Sequence, residues 1–266
     1  MARRVSRRPV TRIPAEGLLA EEFDDVVVEE PLDIRIVDRT LAITMRTPGD
    51  DFELAAGFCL TEGVLDGGAT IGEIRFCPDV EELNTVEVRL RGEPVWHDRS
   101  LVMTAACGVC GKTSIDDVRR RLPAVSPGPV FPAPLLANAA DRLRDEQPTF
   151  TRTGGLHAAG LLTVGGDWLA VREDVGRHNA VDKAVGWALL NGRLPLAGVV
   201  LVVSGRAGFE IVQKALAASI PAVVAVGAPS SLAIDLAVDG RMTLCGFARR
   251  GGLTIYSGAE RVSTSA

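Results

Sequence analysis

The sequence predicts a two-lobed α/β protein, with a three-layer C-terminal lobe and a smaller α+β N-terminal lobe. From about residue 149 onward, short β-branched runs alternate with segments of helical periodicity, which is the pattern of a sheet covered by helices. Residues 21–122 contain mainly paired strand-like runs and one apolar helix. Five prolines within residues 123–134 separate the two halves. At 266 residues, the chain is long enough for each lobe to bury a core.

The N-terminal part of the chain begins with a basic segment. Residues 1–20 include five arginines but lack the apolar stretch that an export signal requires, so we interpret them as a disordered tail. The lobe of residues 21–122 is expected to end in a cysteine-containing loop and a short helix. Its predicted strands are 26–37, 41–46, 71–77 and 85–90, and its predicted apolar helix is 52–60.

The C-terminal part begins after a break. Residues 123–148 are interpreted as a proline-rich linker that ends in an amphipathic helix at 135–146. Residues 149–260 form the second lobe, and 261–266 are a short tail. The predicted strands of this lobe are 156–164, 168–172, 197–203, 221–226, 242–245 and 253–256, and its predicted helices are 177–190, 207–218 and 230–238.

Composition and charge exclude several classes of protein. The formal net charge is −5, which argues against a nucleic-acid partner but is compatible with a local basic site for an anion. The longest apolar run, residues 194–203, is too short to span a membrane. The five cysteines include only one close pair, so we expect a soluble protein of the reducing cytoplasm rather than a disulfide scaffold.

The close pair, Cys107 and Cys110, is the strongest chemical signal in the chain. Gly108 and Gly111 let the backbone fold tightly around whatever the two thiols hold. Lys112 and the start of a predicted helix after it favour the thiolate form, whereas Asp116 and Asp117 oppose it. The spacing fits a sulfur-carrying or redox site, half of a zinc knuckle, or a packed pair, and it does not rank the two cysteines.

A zinc site at this pair lacks its remaining ligands. A structural site needs four ligands, and the other cysteines and the histidines are isolated in the sequence. A zinc deaminase has a His-x-Glu segment before its Cys-x-x-Cys pair. Here His157 follows the cysteines, and Ala159 stands at the position of the glutamate. We therefore predict no catalytic zinc and no metal-binding residues.

Two segments of the C-terminal lobe are candidates for binding a phosphate or diphosphate. Ser204, Gly205 and Arg206 follow a buried strand and precede a helix, so their N–H groups can receive an anion, although an ordinary helix start has the same pattern. The second segment is a basic, glycine-containing loop between strands, for which a plain basic turn is the alternative. It consists of Phe247, Ala248, Arg249, Arg250, Gly251 and Gly252.

Three further side chains complete the candidate binding site. Arg177 and His178 are the first residues of a predicted helix, so the N–H groups there can also receive an anion, as at Ser204–Arg206. The i,i+4 pairs of this helix, which include Asp182 and Lys183, are predicted on one exposed edge. His157 lies on a predicted strand, where a satisfied core histidine and a residue that contacts a ligand are both open interpretations.

The order of these motifs carries a family resemblance. The motifs are Cys107-Gly-Val-Cys110-Gly, Gly154-Gly-Leu-His157-Ala-Ala, the segment Glu173-Asp174-Val-Gly-Arg177-His178-Asn179-Ala-Val-Asp182-Lys183, Ser204-Gly205-Arg206 and Gly227-Ala-Pro-Ser-Ser231. Together, over roughly residues 20–260, they resemble the formate dehydrogenase accessory sulfurtransferase family, FdhD. The chain departs from the usual pattern at its C-terminal loop, where Gly252 stands where a basic residue is expected.

The resemblance implies a cytidine-deaminase-like α/β fold without catalytic zinc, and a homodimer. It implies that the protein accepts sulfur from a cysteine desulfurase as a cysteine persulfide. The sulfur then passes to the bis-molybdopterin guanine dinucleotide cofactor of the formate dehydrogenase catalytic subunit, so this guanine-nucleotide-containing cofactor is bound as a substrate. By the same resemblance, Cys107 is the persulfide carrier, Cys110 is a second thiol, and residues 247–252 contact the cofactor.

Two other functions are compatible with the same residues. The first is a nucleotide-binding chaperone that inserts the molybdenum cofactor without moving sulfur, for which Cys107 would be dispensable. The second is a zinc protein, for which purified material would contain near-stoichiometric zinc.

Overall fold

The computed structural model describes residues 3–15, 17–78, 83–96, 122 and 124–264. The chain begins with a two-stranded antiparallel ribbon of β1 (Val5–Arg12) and β2 (Ala20–Val27). The prediction of a disordered tail is therefore wrong for residues 5–12. The physical reason is charge pairing between the two strands, because Arg8 lies opposite Asp24 and Arg12 forms an ion pair with Glu22.

The N-terminal lobe is a four-stranded sheet with one helix packed on it. Its elements are β3 (Glu30–Ile36), β4 (Arg39–Arg46), α1 (Asp51–Thr61), β5 (Thr70–Phe76) and β6 (Thr85–Arg91), and the strand order is β4-β3-β6-β5. Alternate apolar residues of β3 and β6 are fully buried against α1. The single strand predicted at 26–37 is thus divided between the ribbon and this sheet.

The segment between the lobes contains β7 (Phe131–Pro132), α2 (Ala133–Asp145) and α3 (Pro148–Thr153). The helix predicted at 135–146 is confirmed, but its interpretation as part of a linker is wrong. Leu136 and Leu143 of α2 are fully buried against strands of the C-terminal sheet. This helix is therefore one layer of the C-terminal lobe.

The C-terminal lobe has three layers around a six-stranded sheet of order β13-β12-β11-β10-β8-β9. Helices α4, α5 and α6 cover one face, and α2 covers the other. The elements in chain order are β8 (His157–Thr163), β9 (Trp168–Asp174), α4 (Arg177–Leu190), β10 (Val199–Val203), α5 (Phe209–Ala217), β11 (Ala222–Ala225), α6 (Ser231–Asp239), β12 (Thr243–Arg249) and β13 (Gly252–Ser257). The prediction of an α/β fold is confirmed, and the cytidine-deaminase likeness stays a prediction.

The end of the chain is also ordered into the sheet region. A short 3₁₀ helix, Ala259–Arg261, leads into β14 (Val262–Ser263), which pairs in parallel with β7. The predicted tail of residues 261–266 is therefore wrong for residues 261–263. Within the described ranges, no helix is both long and apolar enough to cross a membrane.

The two lobes meet where α1 crosses α4 at backbone contact distance. A Cβ atom on Gly57 would lie 1.9 Å from the carbonyl oxygen of Asp182, and one on Gly186 would lie 1.8 Å from that of Glu53. The exposed edge predicted for α4 is wrong, because α1 covers it: Asp182 is 1% exposed and Lys183 0%.

Candidate functional site

The polar motifs converge at one edge of the C-terminal sheet. Strands β10, β11 and β12 are parallel, so Ser204, Gly227 and the end of β12 emerge at the same edge. Strand β8 runs antiparallel to β10 and therefore begins there with His157, while β9 ends there and leads into α4. The carboxyl edge of parallel strands is a common place for ligand binding in α/β folds.

The loop after β10 is fixed by backbone hydrogen bonds. Ser204 N donates to the carbonyl oxygen of Ala158 at 3.0 Å, and Ala158 N donates to Ser204 Oγ at 2.9 Å. Gly227 N donates to the carbonyl oxygen of Gly205 at 3.0 Å, which ties this loop to the one after β11. The loop therefore has a defined shape, while the side chain of Arg206 extends into solvent.

His157, Arg177 and Gly205 lie close together at this edge, and we call the space between them the cleft. A Cβ atom on Gly205 would lie 3.4 Å from His157 Nδ1 and 3.9 Å from Arg177 Cδ, which are ordinary contact distances, so the glycine leaves open a space that a larger side chain would fill. Burial is the largest cause that lowers the pKa of His157, and the positive charges of Arg177 and His178 lower that pKa further. The His157 ring is therefore neutral at pH 7.

Two arginines at this edge have no ion-pair partner among the residues that the structure describes. Neither Arg177 nor Arg206 forms an ion pair with any residue in the described part of the chain. Helix α4 starts after Gly176 and α5 after Gly208, so N–H groups of two first turns lie at the same edge. This combination favours an anionic ligand.

His178 links the starts of α4 and α5. Its Nε2 lies 2.7 Å from Glu210 Oε2, and both side chains are largely buried. Burial on its own would raise the pKa of Glu210, but the hydrogen bond and positive charge of His178, together with nearby cations, lower it overall. The carboxylate is therefore ionised at pH 7, and the pair holds two helix starts together.

The segment Phe247–Gly252 lies only partly at the cleft. Phe247 N donates to the carbonyl oxygen of Gly227 at 3.3 Å, and its half-exposed side chain stands at the edge of the sheet. Ala248 is buried, Arg249 ends β12, and Gly252 begins β13. The turn that contains Arg250 contacts α2 instead, because Arg250 N donates to Asp141 Oδ2 at 2.9 Å. In the described chain, no hydrogen bond or ion pair joins this turn to the cleft histidines or to Arg177.

The predicted sulfur-carrying pair, Cys107 and Cys110, lies outside the described residues, and its role stays a prediction. Two described cysteines, Cys59 and Cys245, are fully buried, and burial raises the pKa of each thiol to about 12. They are therefore protonated and unreactive at neutral pH. Among the described side chains, no group of three or more His, Cys, Asp or Glu residues is arranged to hold a metal ion.

Comparison with known proteins extends the motif pattern to the whole chain. Residues 27–263 match the family described as FdhD/NarQ. The chain belongs to the FdhD/NarQ family. The proteins named "Sulfur carrier protein FdhD" from Streptomyces coelicolor and Nocardia farcinica are 49% and 47% identical to it. The alignments cover 100% and 97% of this chain, and 98% and 94% of those proteins.

The fold is shared with a solved structure. A crystal structure from Desulfotalea psychrophila, described as that of a formate dehydrogenase accessory protein, aligns with 97% of this chain and 99% of its own. The TM-score is 0.74 at 24% sequence identity, so the likeness concerns the fold. Membership in the FdhD/NarQ family confirms the resemblance that the motifs indicate.

In this FdhD/NarQ protein, two residues that support the cleft are absent from the site residues predicted by the sequence. Asp174 is completely buried at the end of β9 and holds the turn before α4, where Gly176 N donates to its Oδ1 at 2.8 Å. Glu210 fixes His178. Asp174 has a signal in the sequence, because an acidic residue two positions before the glycine that precedes a helix can cap the turn. No comparable local signal identifies Glu210.

Proposed function

We propose that this protein is a sulfur carrier that serves formate dehydrogenase. The relatives that match it over their full length are named as sulfur carriers, and its FdhD-like motifs occur in the family order. The observation that carries the proposal is the convergence of His157, Arg177 and the Ser204–Arg206 loop on one anion-binding edge. This edge lies on the same chain as a cysteine pair suited to carry sulfur.

The first step is the transfer of a sulfane sulfur to Cys107. Its thiolate attacks the terminal sulfur of a cysteine persulfide on a cysteine desulfurase. The S–S bond of the donor breaks, the donor cysteine leaves as a thiolate, and a new S–S bond forms at Cys107. The electron count is balanced because one S–S bond replaces another, so no external oxidant is needed.

The second step delivers the sulfur. Attack of the Cys110 thiolate on the Cys107 sulfur releases hydrosulfide and leaves a disulfide between the two cysteines. The two electrons that convert sulfane sulfur to sulfide come from the two cysteines, and a thiol reductant restores them. The acceptor is the bis-molybdopterin guanine dinucleotide cofactor, bound as a substrate before the formate dehydrogenase catalytic subunit receives it.

The cleft fits the diphosphate portion of this substrate. Arg177 and Arg206 supply positive charge, and the helix starts supply N–H donors. Phe247, half-exposed beside the loop after β11, offers an aromatic face for a ring of the cofactor. The Arg249–Gly252 turn is exposed, and we propose that it contacts a part of the ligand that extends from the cleft across the end of the sheet. We also propose that the protein works as a homodimer in the cytoplasm.

Mass spectrometry after incubation with a cysteine desulfurase and cysteine tests the relay. We expect the mass of one added sulfur on the peptide that contains Cys107 and Cys110, absent in Cys107→Ala and retained in Cys110→Ala. No adduct on the wild-type protein, despite an active desulfurase, would contradict the proposal. Activation of the dehydrogenase by Cys107→Ala would instead identify a chaperone that binds the cofactor without transferring sulfur.

A further inference from the structure

A buried ion pair of Asp174 and Lys183 lies directly beneath the start of α4. Both side chains are completely buried, and Lys183 Nζ lies 2.7 Å from Asp174 Oδ2. Asp174 Oδ1 accepts hydrogen bonds from Gly176 N at 2.8 Å and from Asn179 Nδ2 at 3.0 Å. One carboxylate therefore fixes the backbone on both sides of Arg177, at Gly176 before it and at Asn179 in the first turn of α4.

The N-terminal lobe completes this arrangement through Thr47, in the connection between β4 and α1. Thr47 N donates to Asp174 Oδ2 at 3.1 Å, and the Thr47 carbonyl oxygen accepts from Lys183 Nζ at 2.8 Å. Thr47 Oγ1 accepts from Val175 N at 3.2 Å. The turn at residues 175–178 is thus held from both lobes at once.

Stability alone explains this pair poorly. Moving two charges out of water is costly, and well-packed apolar residues often replace a buried ion pair without loss of stability. A second buried pair of the C-terminal lobe, Asp182 and Lys214, also lies where the lobes meet, and Thr61 Oγ1 of the N-terminal lobe donates to Asp182 at 2.7 Å. What distinguishes the first pair is its contact with the turn at residues 175–178.

We infer that Asp174, Lys183 and Thr47 are positioning residues for the anion-binding cleft. They hold the turn so that Arg177 lies beside Gly205 and His157, the arrangement in which the cleft can receive a diphosphate. The inference rests on the proposed function for the identity of the ligand. The positioning itself depends only on the contacts of the turn.

The test compares two matched threonine substitutions in the full-length protein. Thr47→Val removes the hydroxyl that accepts from Val175 N, whereas Thr61→Val removes the hydroxyl that hydrogen-bonds Asp182 and Lys214. Both threonines are almost completely buried, and the two substitutions have the same shape. Guanosine diphosphate is the probe, its affinity is measured by calorimetry, and the melting temperature is measured for each variant.

We expect both variants to melt at a lower temperature but only Thr47→Val to bind guanosine diphosphate more weakly, by about threefold to tenfold, as for loss of one hydrogen bond. Equal affinities in the two variants would overturn the inference. If the wild-type protein binds no guanosine diphosphate, the proposed ligand is wrong. The NMR signals of the Arg177 amide and the His157 ring then test whether Thr47 positions the turn. They should shift in Thr47→Val and not in Thr61→Val, and unchanged signals in both variants would overturn the inference.

Discussion

At the scale of single residues, the state of His157 sets the charge of the cleft. Its pKa is lowered chiefly by burial and then by the charges of Arg177 and His178, while the carboxylate of Asp174 opposes the shift. A neutral ring leaves the two arginines as the fixed positive charges of the site. Protonation below the ordinary value of 6.5 adds a third charge beside the ligand.

This state predicts a pH dependence for anion binding. As the pH falls from about 7 to about 5, protonation of His157 should strengthen the binding of guanosine diphosphate relative to the variant His157→Gln. Calorimetry of both proteins at each pH measures the ratio of their affinities, which removes the titration of the ligand itself. A ratio that does not change with pH would show that the His157 ring does not face the bound anion.

At the scale of the elements, the sequence predicts the C-terminal lobe well because its central strands, β10 and β11, are buried on both faces. The run at Val199–Val203 is apolar throughout, and such a run has few alternatives to a central strand. The β1–β2 ribbon is missed because the arginines of β1 form no apolar period, and the acidic residues that pair with them lie on the other strand. A local sequence pattern identifies a helix or strand only where that element packs against the hydrophobic core.

The joint of α1 and α4 depends on two glycines, and this dependence can be measured. Gly57→Ala places a Cβ atom 1.9 Å from the carbonyl oxygen of Asp182, so the helices must separate. We expect a loss of roughly 3 kcal/mol or more in the free energy of unfolding, measured with denaturant. Gly198→Ala is the control, because nothing lies within 4 Å of the added atom and its backbone has an ordinary φ. Equal losses in both variants would contradict the close packing.

At the scale of the whole molecule, the site can be predicted from the sequence only in part. The predicted helix starts and strands identify Arg177, the Ser204–Arg206 loop and His157 as candidates, and the sheet topology brings them to one edge. The contribution of Thr47 has no sequence signal, because it depends on how α1 crosses α4 and on a contact between residues 127 positions apart in the sequence. The docking of one lobe on the other leaves no periodic pattern of apolar residues in the local sequence.

The docking of the lobes predicts that they unfold together. Lys214 of α5 is buried, and its Nζ lies 2.9 Å from Asp182 Oδ2 and 2.9 Å from Glu62 Oε1, so it joins α4 and α5 to the N-terminal lobe. Burial opposes its charge, but the two carboxylates raise the pKa of Lys214. Removing one partner of a buried pair leaves the other charge uncompensated and costs about 3 to 5 kcal/mol.

Lys214→Met should therefore lower stability by about that amount while leaving a single unfolding transition. Hydrogen exchange of amides in β3 and β10 reports on the two lobes separately, and both should open with the same free energy in the variant. Arg89→Met is the control, because its ion pairs are exposed and its loss should be below about 1 kcal/mol. If the amides of β3 opened at a much lower free energy than those of β10, the two lobes would unfold independently. Thr47, which lies in the N-terminal lobe, could then not hold the cleft of the C-terminal lobe in place.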